Sequence, residues 1–328
     1  MTFIRPVERK DSDRIIEFAF KSQLGITSLP KNKEALLEKV EQSITSFKAN
    51  VDKPGIERYL FALEDIETGN LMGISGIKAD TSIDHPLTSY HLVKESDHFW
   101  LIPSIKFSHL TEISSLYVDH QFRQKGIGRL LSFSRFLFMA DFSSRFHDQV
   151  FANMRGVISD NNSIFWEQIT GRFIKLSFPE VMKRIDNNEI DYKDMTPTHP
   201  LCSLFLPQEA LDVIGKTHPH TSKALELLEE EGFIFKNIVD MIDGGPILHA
   251  KLPKIKTIEK SSLKKILSFG EGDTPYLISN RLIDFRALAA NIRISDEGLI
   301  LPQISAERLN LKLGDSVRIS PVSFKENK

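Results

Sequence analysis

Apolar residues fall first in a short block and then at helical spacing. Phe3-Ile4-Arg5-Pro6-Val7 reads as a first strand. Asp11 predicts an N-cap for a helix reaching about Ser22, with Ile15, Ile16, Phe18 and Ala19 on its buried side. Gly25 to Pro30 predicts a loop, and Leu36, Leu37, Val40 and Ile44 predict a second helix. Tyr59 to Asp65 and Leu71 to Ala79 flank the turn residues Glu67-Thr68-Gly69-Asn70, which predicts a hairpin. Residues 80 to 110 are irregular and aromatic-rich, and their pattern assigns no element.

The next block is periodic again. Ile113 to Val118 reads as a strand and Asp119 to Lys125 is polar. Gly126-Ile127-Gly128 opens a helix that carries Leu130, Phe133, Leu137 and Phe138 on one face, and Val150 to Val157 reads as a further strand. Strand, helix, strand in that order predicts a parallel pair. Helices are expected over Ser163 to Phe173 and Ser222 to Phe233, each ending at a glycine and an aromatic residue. Strands are expected over Ile234 to Met241 and Pro246 to Leu252, about Asp243-Gly244-Gly245. Gly270 to Pro275 reads as a linker or loop, and from Leu282 onward the pattern is short β, which predicts a small barrel-like unit.

Composition narrows the class. A chain of 328 residues is expected to hold two units. Net charge is −2, from 42 basic and 44 acidic side chains that alternate along the chain, so no nucleic-acid partner is expected. Cys202 is the single cysteine, which excludes an intrachain disulfide and a cysteine-based zinc site. The start, Met1-Thr2-Phe3-Ile4-Arg5-Pro6, lacks the apolar core of a signal peptide, and Phe136 to Ala140 is far too short to span a membrane. A cytoplasmic protein with no membrane partner is the expectation.

Candidate chemistry centres on Arg123-Gln124-Lys125-Gly126-Ile127-Gly128, between a strand and a helix. A helix N-terminus presents unpaired N–H groups and the positive end of a dipole, and glycine lets that backbone approach a phosphate closely. Arg123, Lys125 and Arg129 add positive charge. A Rossmann fingerprint would place glycine where Arg123 stands, and no Gly-Lys-Ser/Thr follows for a Walker loop. The pattern resembles the R/Q-x-x-G-x-G/A signature of GNAT acyltransferases, which grips the pyrophosphate of coenzyme A. The resemblance implies an α/β (α+β) fold with a GNAT-type mixed sheet flanked by helices. The transferase domain is expected over 1–260, enlarged by an insertion at about 174–217, with a small β-rich C-terminal domain over 261–328.

Further motifs point to one family. Ile4-Arg5-Pro6-Val7-Glu8-Arg9, Leu24 to Pro30, Leu63-Glu64-Asp65 and Ser134 to Ala140 resemble the arginine N-succinyltransferase family. So do Met154-Arg155-Gly156-Val157, Phe165-Trp166, Ile214 to Pro219, Glu231-Gly232-Phe233 and Asp243-Gly244-Gly245-Pro246. The resemblance covers most of residues 1 to 260 and returns at Gly314 to Arg318. It implies transfer of succinyl from succinyl-CoA to the α-amino group of L-arginine (or ornithine), with no permanently bound cofactor and no metal. It also implies that Leu116 contacts succinyl-CoA and that His218 is the proton donor. Val118, Arg123, Lys125, Gly126, Gly128 and Arg129 join Leu116 as the expected CoA-binding set.

Other candidates keep a plain alternative. Many GNAT enzymes protonate the leaving sulfur with a tyrosine before the glycine-aromatic stop; here those positions hold Glu167 and Leu228. His218 fits that task, since an imidazole titrates at about 6.5; a surface histidine beside Pro219 is the competitor. Glu112 is a candidate base or a strand-end carboxylate. Arg155 is a candidate for the succinyl carboxylate or a structural ion pair. Thr27 and Ser28 line the amino-acid pocket or belong to a capping loop. Two other functions stay open: a GNAT enzyme for another small amine, and a non-catalytic acyl-CoA sensor. A homo-oligomer is expected, with the aromatic-rich middle as interface.

Overall fold

The computed structural model describes residues 1–21, 29–82, 88–104, 109–187, 189 and 197–322. The chain opens with β1 (Thr2–Pro6), α1 (Ser12–Lys21) and α2 (Lys33–Lys48), followed by the hairpin β2 (Arg58–Asp65) and β3 (Leu71–Lys78). Asp11 does not cap α1. It sits in a short turn before it, buried, where it accepts both Arg5 Nη1 at 2.7 Å and Arg5 Nη2 at 2.8 Å. Glu8 is the N-cap of that turn, Arg9–Asp11. Leu37, counted on the apolar face of α2, is exposed.

Residues 80–110, which the pattern left unassigned, hold a second hairpin: β4 (Ser89–Glu95) and β5 (His98–Ser104). Its half-buried strands carry irregular burial, so alternation is weak there. Then come β6 (Thr111–Val118), α3 (Ile127–Asp141), β7 (Gln149–Asn153), the two-residue β8 (Leu201–Cys202), β9 (Ile234–Asp240) and β10 (Pro246–Lys251). The strand expected through Val157 stops at Asn153, and the helix expected from Ser163 contains a π-helical turn over Trp166–Thr170. The pair β6–β7 is parallel, as the strand-helix-strand order requires.

The last five strands are β11 (Ser262–Phe269), β12 (Thr274–Ser279), β13 (Ala287–Ile294), β14 (Leu299–Leu301) and β15 (Ser316–Pro321). Their order β12-β15-β11-β14-β13 closes through a β12–β13 pairing, giving a small barrel. Its own core holds Ile266, Ile278, Leu288, Ile292, Leu299, Val317 and Ile319. The barrel is stitched to the main sheet by β13 against β1, at Ile4 opposite Ala287.

Helix α3 is the pivot. Every residue from Leu130 to Met139 is buried, not just one face. The helix lies between the sheet, at β3 and β6, and the barrel, at β12, β13 and β15. A helix covered on both sides has no polar face to keep. The side chain of its C-terminal Asp141 is only 2% exposed, and Oδ1 accepts Arg281 Nε at 3.0 Å and Arg318 Nε at 2.9 Å from the barrel. A carboxylate at a helix C-terminus opposes the dipole, so these two cations offset that cost. Replacing Asp141 by Ala strands both guanidinium groups. The urea midpoint should drop, corresponding to a loss of about 2–3 kcal/mol, a little under a fully buried broken pair because the arginines are partly exposed.

Candidate active site

The centre of the sheet is open by construction. Strands β6 and β7 pair only at Thr111 with Val150 and Glu112 with Phe151. Beyond that point β6 stays with β3 while β7 turns to β10. A bulge marks the parting. Ser114 lies opposite Gly76 and Tyr117 opposite Ile74, so Ser115 and Leu116 together oppose Ser75. Ser115 has φ 55°, a left-handed conformation that a serine adopts only where its surroundings enforce it.

Arg135 of α3 lies beneath this bulge. It is buried and donates from Nη1 to the Ser114 carbonyl at 3.3 Å and the Gly76 carbonyl at 3.5 Å. Nε donates to the Ser132 carbonyl at 3.0 Å, and Nη2 to Ser132 Oγ at 2.8 Å. Its acceptors are neutral, so burial pushes its pKa down to about 9. That still leaves it charged at neutral pH.

Past the bulge, β6 carries the half-buried Leu116 and Val118. Asp119 ends the strand; it is buried, holds Arg14 Nη2 at 2.8 Å and caps the N–H of Gln121. The exposed Arg123 folds back to donate from Nε to the Val118 carbonyl at 3.0 Å, and Lys125 is exposed beside it. Gly126 caps α3 with φ 89°. A Cβ added at Gly128 would meet nothing within 4 Å. Among the described residues the main-chain N–H groups of Lys125, Gly126, Gly128 and Arg129 find no acceptor in the chain. These donors and the helix dipole together suit a phosphate. Arg129 does not stand free at this loop: Nη2 donates to Glu230 Oε2 at 2.6 Å and its guanidinium stacks over Phe133.

The other wall begins where β7 ends. Arg155 and His218 are drawn together: the His218 N–H donates to the Arg155 carbonyl at 2.8 Å, and Gly156 bridges Thr217. Behind them lies the loop Asp243-Gly244-Gly245. A Cβ on Gly156 would stand 2.1 Å from the Asp243 carbonyl, and one on Gly245 would stand 2.0 Å from the Met154 carbonyl. Only glycines permit this backbone contact. It sets Asp243 Oδ2 at 3.5 Å from Arg155 Nε. Asn153 Nδ2 donates to the buried Asp240 at 2.7 Å. Burial and the neighbouring Asp243 hold the Asp240 pKa well above the usual carboxylate range.

Glu112 is buried at the root of the cleft and paired with Lys78 Nζ at 2.9 Å. Thr27 and Ser28 lie outside the described residues. Sequence reasoning missed Arg135, Asn153 and Asp240. Arg135 left one trace, a cation inside an otherwise apolar and serine-containing helix. Asn153 and Asp240 left none, since each reads as an ordinary strand end.

The comparisons give this geometry a family. The family model described as arginine N-succinyltransferase beta subunit matches residues 2–257, and the model of that subunit's C-terminal domain matches 262–321. The chain belongs to the arginine N-succinyltransferase beta subunit family. It is 36% identical to the arginine N-succinyltransferase of Shigella sonnei (strain Ss046), over 97% of each chain. It is 35% identical to that of Escherichia coli O139:H28, again over 97% of each. It is also similar to the solved arginine/ornithine succinyltransferase subunit AI from Pseudomonas aeruginosa, with TM-score 0.88 and 29% identity over 99% of each chain.

His218 is 6% exposed. Burial first, then His220 and Arg155, hold its pKa below the ordinary value of 6.5, against opposing pulls from a hydrogen bond to the Ile158 backbone and from the charge of Asp243. Its Nδ1 accepts the His220 N–H at 3.1 Å, which assigns the proton of the neutral ring to Nε2. Below 6.5 the unfolded chain therefore takes up this proton before the folded one does. The stability tied to neutral His218 is complete above 6.5 and is lost as pH falls from there through the lower folded value. Thermal unfolding of wild type and His218→Gln across pH 5 to 8 should show a shallower acid decline in the variant. Parallel curves would mean the histidine is no more buried than in the unfolded chain.

Proposed function

We propose that this protein is an acyltransferase that moves succinyl from succinyl-CoA to the α-amino group of L-arginine. The observation that carries the reading is the row of unpaired N–H groups at Lys125, Gly126, Gly128 and Arg129, beside the parted strands, in a chain of this family. In this reading the loop holds the CoA pyrophosphate, helped by Arg123 and Lys125. Arg129 keeps α3 in place through Glu230. Leu116 and Val118 line the path of the pantetheine arm. Succinyl-CoA is a co-substrate, with no permanently bound cofactor and no metal.

The chemistry is direct. The neutral amine attacks the thioester carbonyl, the C–N bond forms, and collapse of the adduct breaks the C–S bond. His218 as imidazolium gives its Nε2 proton to the leaving sulfur and is reprotonated by the nitrogen that becomes the amide. Glu112 serves as the base that accepts the ammonium proton through water as the amine enters. In this reading Arg155 binds substrate, and Thr27 and Ser28 contribute to the amino-acid pocket.

Several finer points belong to the same reading. Residues 1–260 form the transferase unit, with 174–217 as its insertion, and the barrel unit starts at 261. The protein is cytoplasmic; among the described residues no helix is long and apolar enough to cross a membrane. It forms a homo-oligomer, for which the exposed Leu204 and Phe205 beside the edge strand β8 offer an apolar surface. Light scattering at micromolar concentration tests that point: a monomer mass discards it.

Free thiol release from succinyl-CoA and acetyl-CoA, over arginine, ornithine, lysine and polyamines, tests the activity. Ornithine is included because the Pseudomonas neighbour is described as acting on it. Succinyl-CoA with arginine should react fastest, and His218→Ala should lower kcat by about 10²-fold or more while CoA still binds. No release from any pair, with CoA bound, would discard the enzyme reading. Gly128→Ala separates site from fold. Alanine suits a helix better than glycine, so the thermal midpoint should hold. The added methyl occupies phosphate space, so KM for succinyl-CoA should rise about tenfold.

A further inference from the structure

The region around Arg155 contains more unpaired polar atoms than a folded core ordinarily keeps. Arg155 Nε and Nη1 are buried with no hydrogen-bond partner, and so is Thr217 Oγ1 across the Gly156–Thr217 bridge. The side chain of Arg155 is 8% exposed. Its ion-pair neighbour Asp243 stands 3.5 Å from Nε, outside hydrogen-bond geometry, and Asp243 Oδ1 is already taken by the Gly245 N–H at 2.9 Å. Stranding a buried guanidinium in this way costs free energy unless something completes it. A planar guanidinium with two nitrogens left unpaired suits a carboxylate.

His218 shares this site, and its own state depends on Arg155. The charged and titratable groups that face the imidazole are His220 on its own turn, Arg155 at the exit of β7, and Asp243 on the glycine loop. Behind Asp243 lies Asp240. Asp186, at the end of the helix Phe178–Asp186, also feels the Arg155 charge. The Arg155 charge works against protonation of His218. Yet donating a whole proton to sulfur and ending as a neutral ring requires the imidazolium, and forming it protonates Nδ1 and breaks the bond that Nδ1 accepts from the His220 N–H.

We propose that Arg155 is the docking point for a substrate carboxylate, and that filling it arms His218 as a proton donor. This rests on the transferase reading and deepens it. A carboxylate on Arg155 completes its free N–H groups and cancels the positive field at the imidazole. His218 then takes a proton from solvent only when the substrate is in place. The carboxylate comes from one of two sources, the far end of the succinyl group or the α-carboxylate of the amino acid. Both present the same chemistry to the guanidinium.

The test follows the His218 ring in the full-length protein by histidine ¹⁵N NMR, with the signal assigned from His218→Gln. The titration midpoint is measured free and with succinyl-CoA, acetyl-CoA, arginine and agmatine (arginine without its carboxylate) added one at a time. The expected result is an upward shift with a carboxylate-bearing ligand and none with its carboxylate-free counterpart. A shift with succinyl-CoA but not acetyl-CoA assigns the donor. A shift with arginine but not agmatine assigns the acceptor. In Arg155→Gln the free midpoint should already be raised, no ligand should move it, and the assigned ligand should bind about 10- to 100-fold more weakly. Arg155→Lys should keep part of the shift. If no carboxylate-bearing ligand moves the wild-type midpoint, or Arg155→Gln binds all four ligands unchanged, Arg155 is only the partner of Asp243 and the proposal falls. These readings come from binding, so they stand apart from thiol release. A protein that shifts but does not turn over keeps the subsite and loses the enzyme.

Discussion

At Ser115 the backbone of β6 turns left-handed, and the buried guanidinium of Arg135 lies against the carbonyls of Ser114 and Gly76 beside it. The bulge places one extra residue on β6, so its register with β3 shifts and its far half cannot follow β7. An uncompensated buried charge is expensive, and a serine in this conformation is strained. The two costs are met together, because the cation supplies donors to carbonyls at the irregular point of the ladder. The parted strands, the cleft between them and the loop at its mouth all follow from that arrangement.

The two walls of the cleft are held by different means. The β6 wall leads through Asp119, anchored by Arg14, into a glycine loop whose free N–H groups are left at the start of α3. The wall past β7 rests on backbone contact between Met154–Gly156 and Asp243–Gly245, a separation that admits no side chain. That contact places two carboxylates, Asp240 and Asp243, behind one arginine and one histidine. The cluster is high-stakes in a low-dielectric interior, since each unpaired group there costs more than it would in water.

The barrel is tied to the same helix. Helix α3 begins at the glycine loop, lies over the bulge through Arg135 and ends at Asp141 between two barrel arginines. The barrel therefore covers the side of α3 that the sheet leaves open, and the position of the loop at its N-terminus depends on both supports.

Most of the layout was legible in the residues. Two largely apolar blocks about a turn marked β2 and β3, and the polar stretch with glycines at 126 and 128 placed the loop between a strand and a helix. Side-chain periodicity and glycine conformation are local properties, so the chain carries them without its fold. The hairpin β4–β5 was not legible, because half-buried strands with polar residues on both faces lose their alternation. Nor was the pairing of Asn153 with Asp240, 87 residues apart, or the setting of Asp243 against Arg155. His218 and Arg155 stood in the sequence as separate candidates for separate tasks. Only the tertiary structure made them neighbours, because the field that one charged group exerts on another depends on distance in space and on burial, and neither is written in the order of residues.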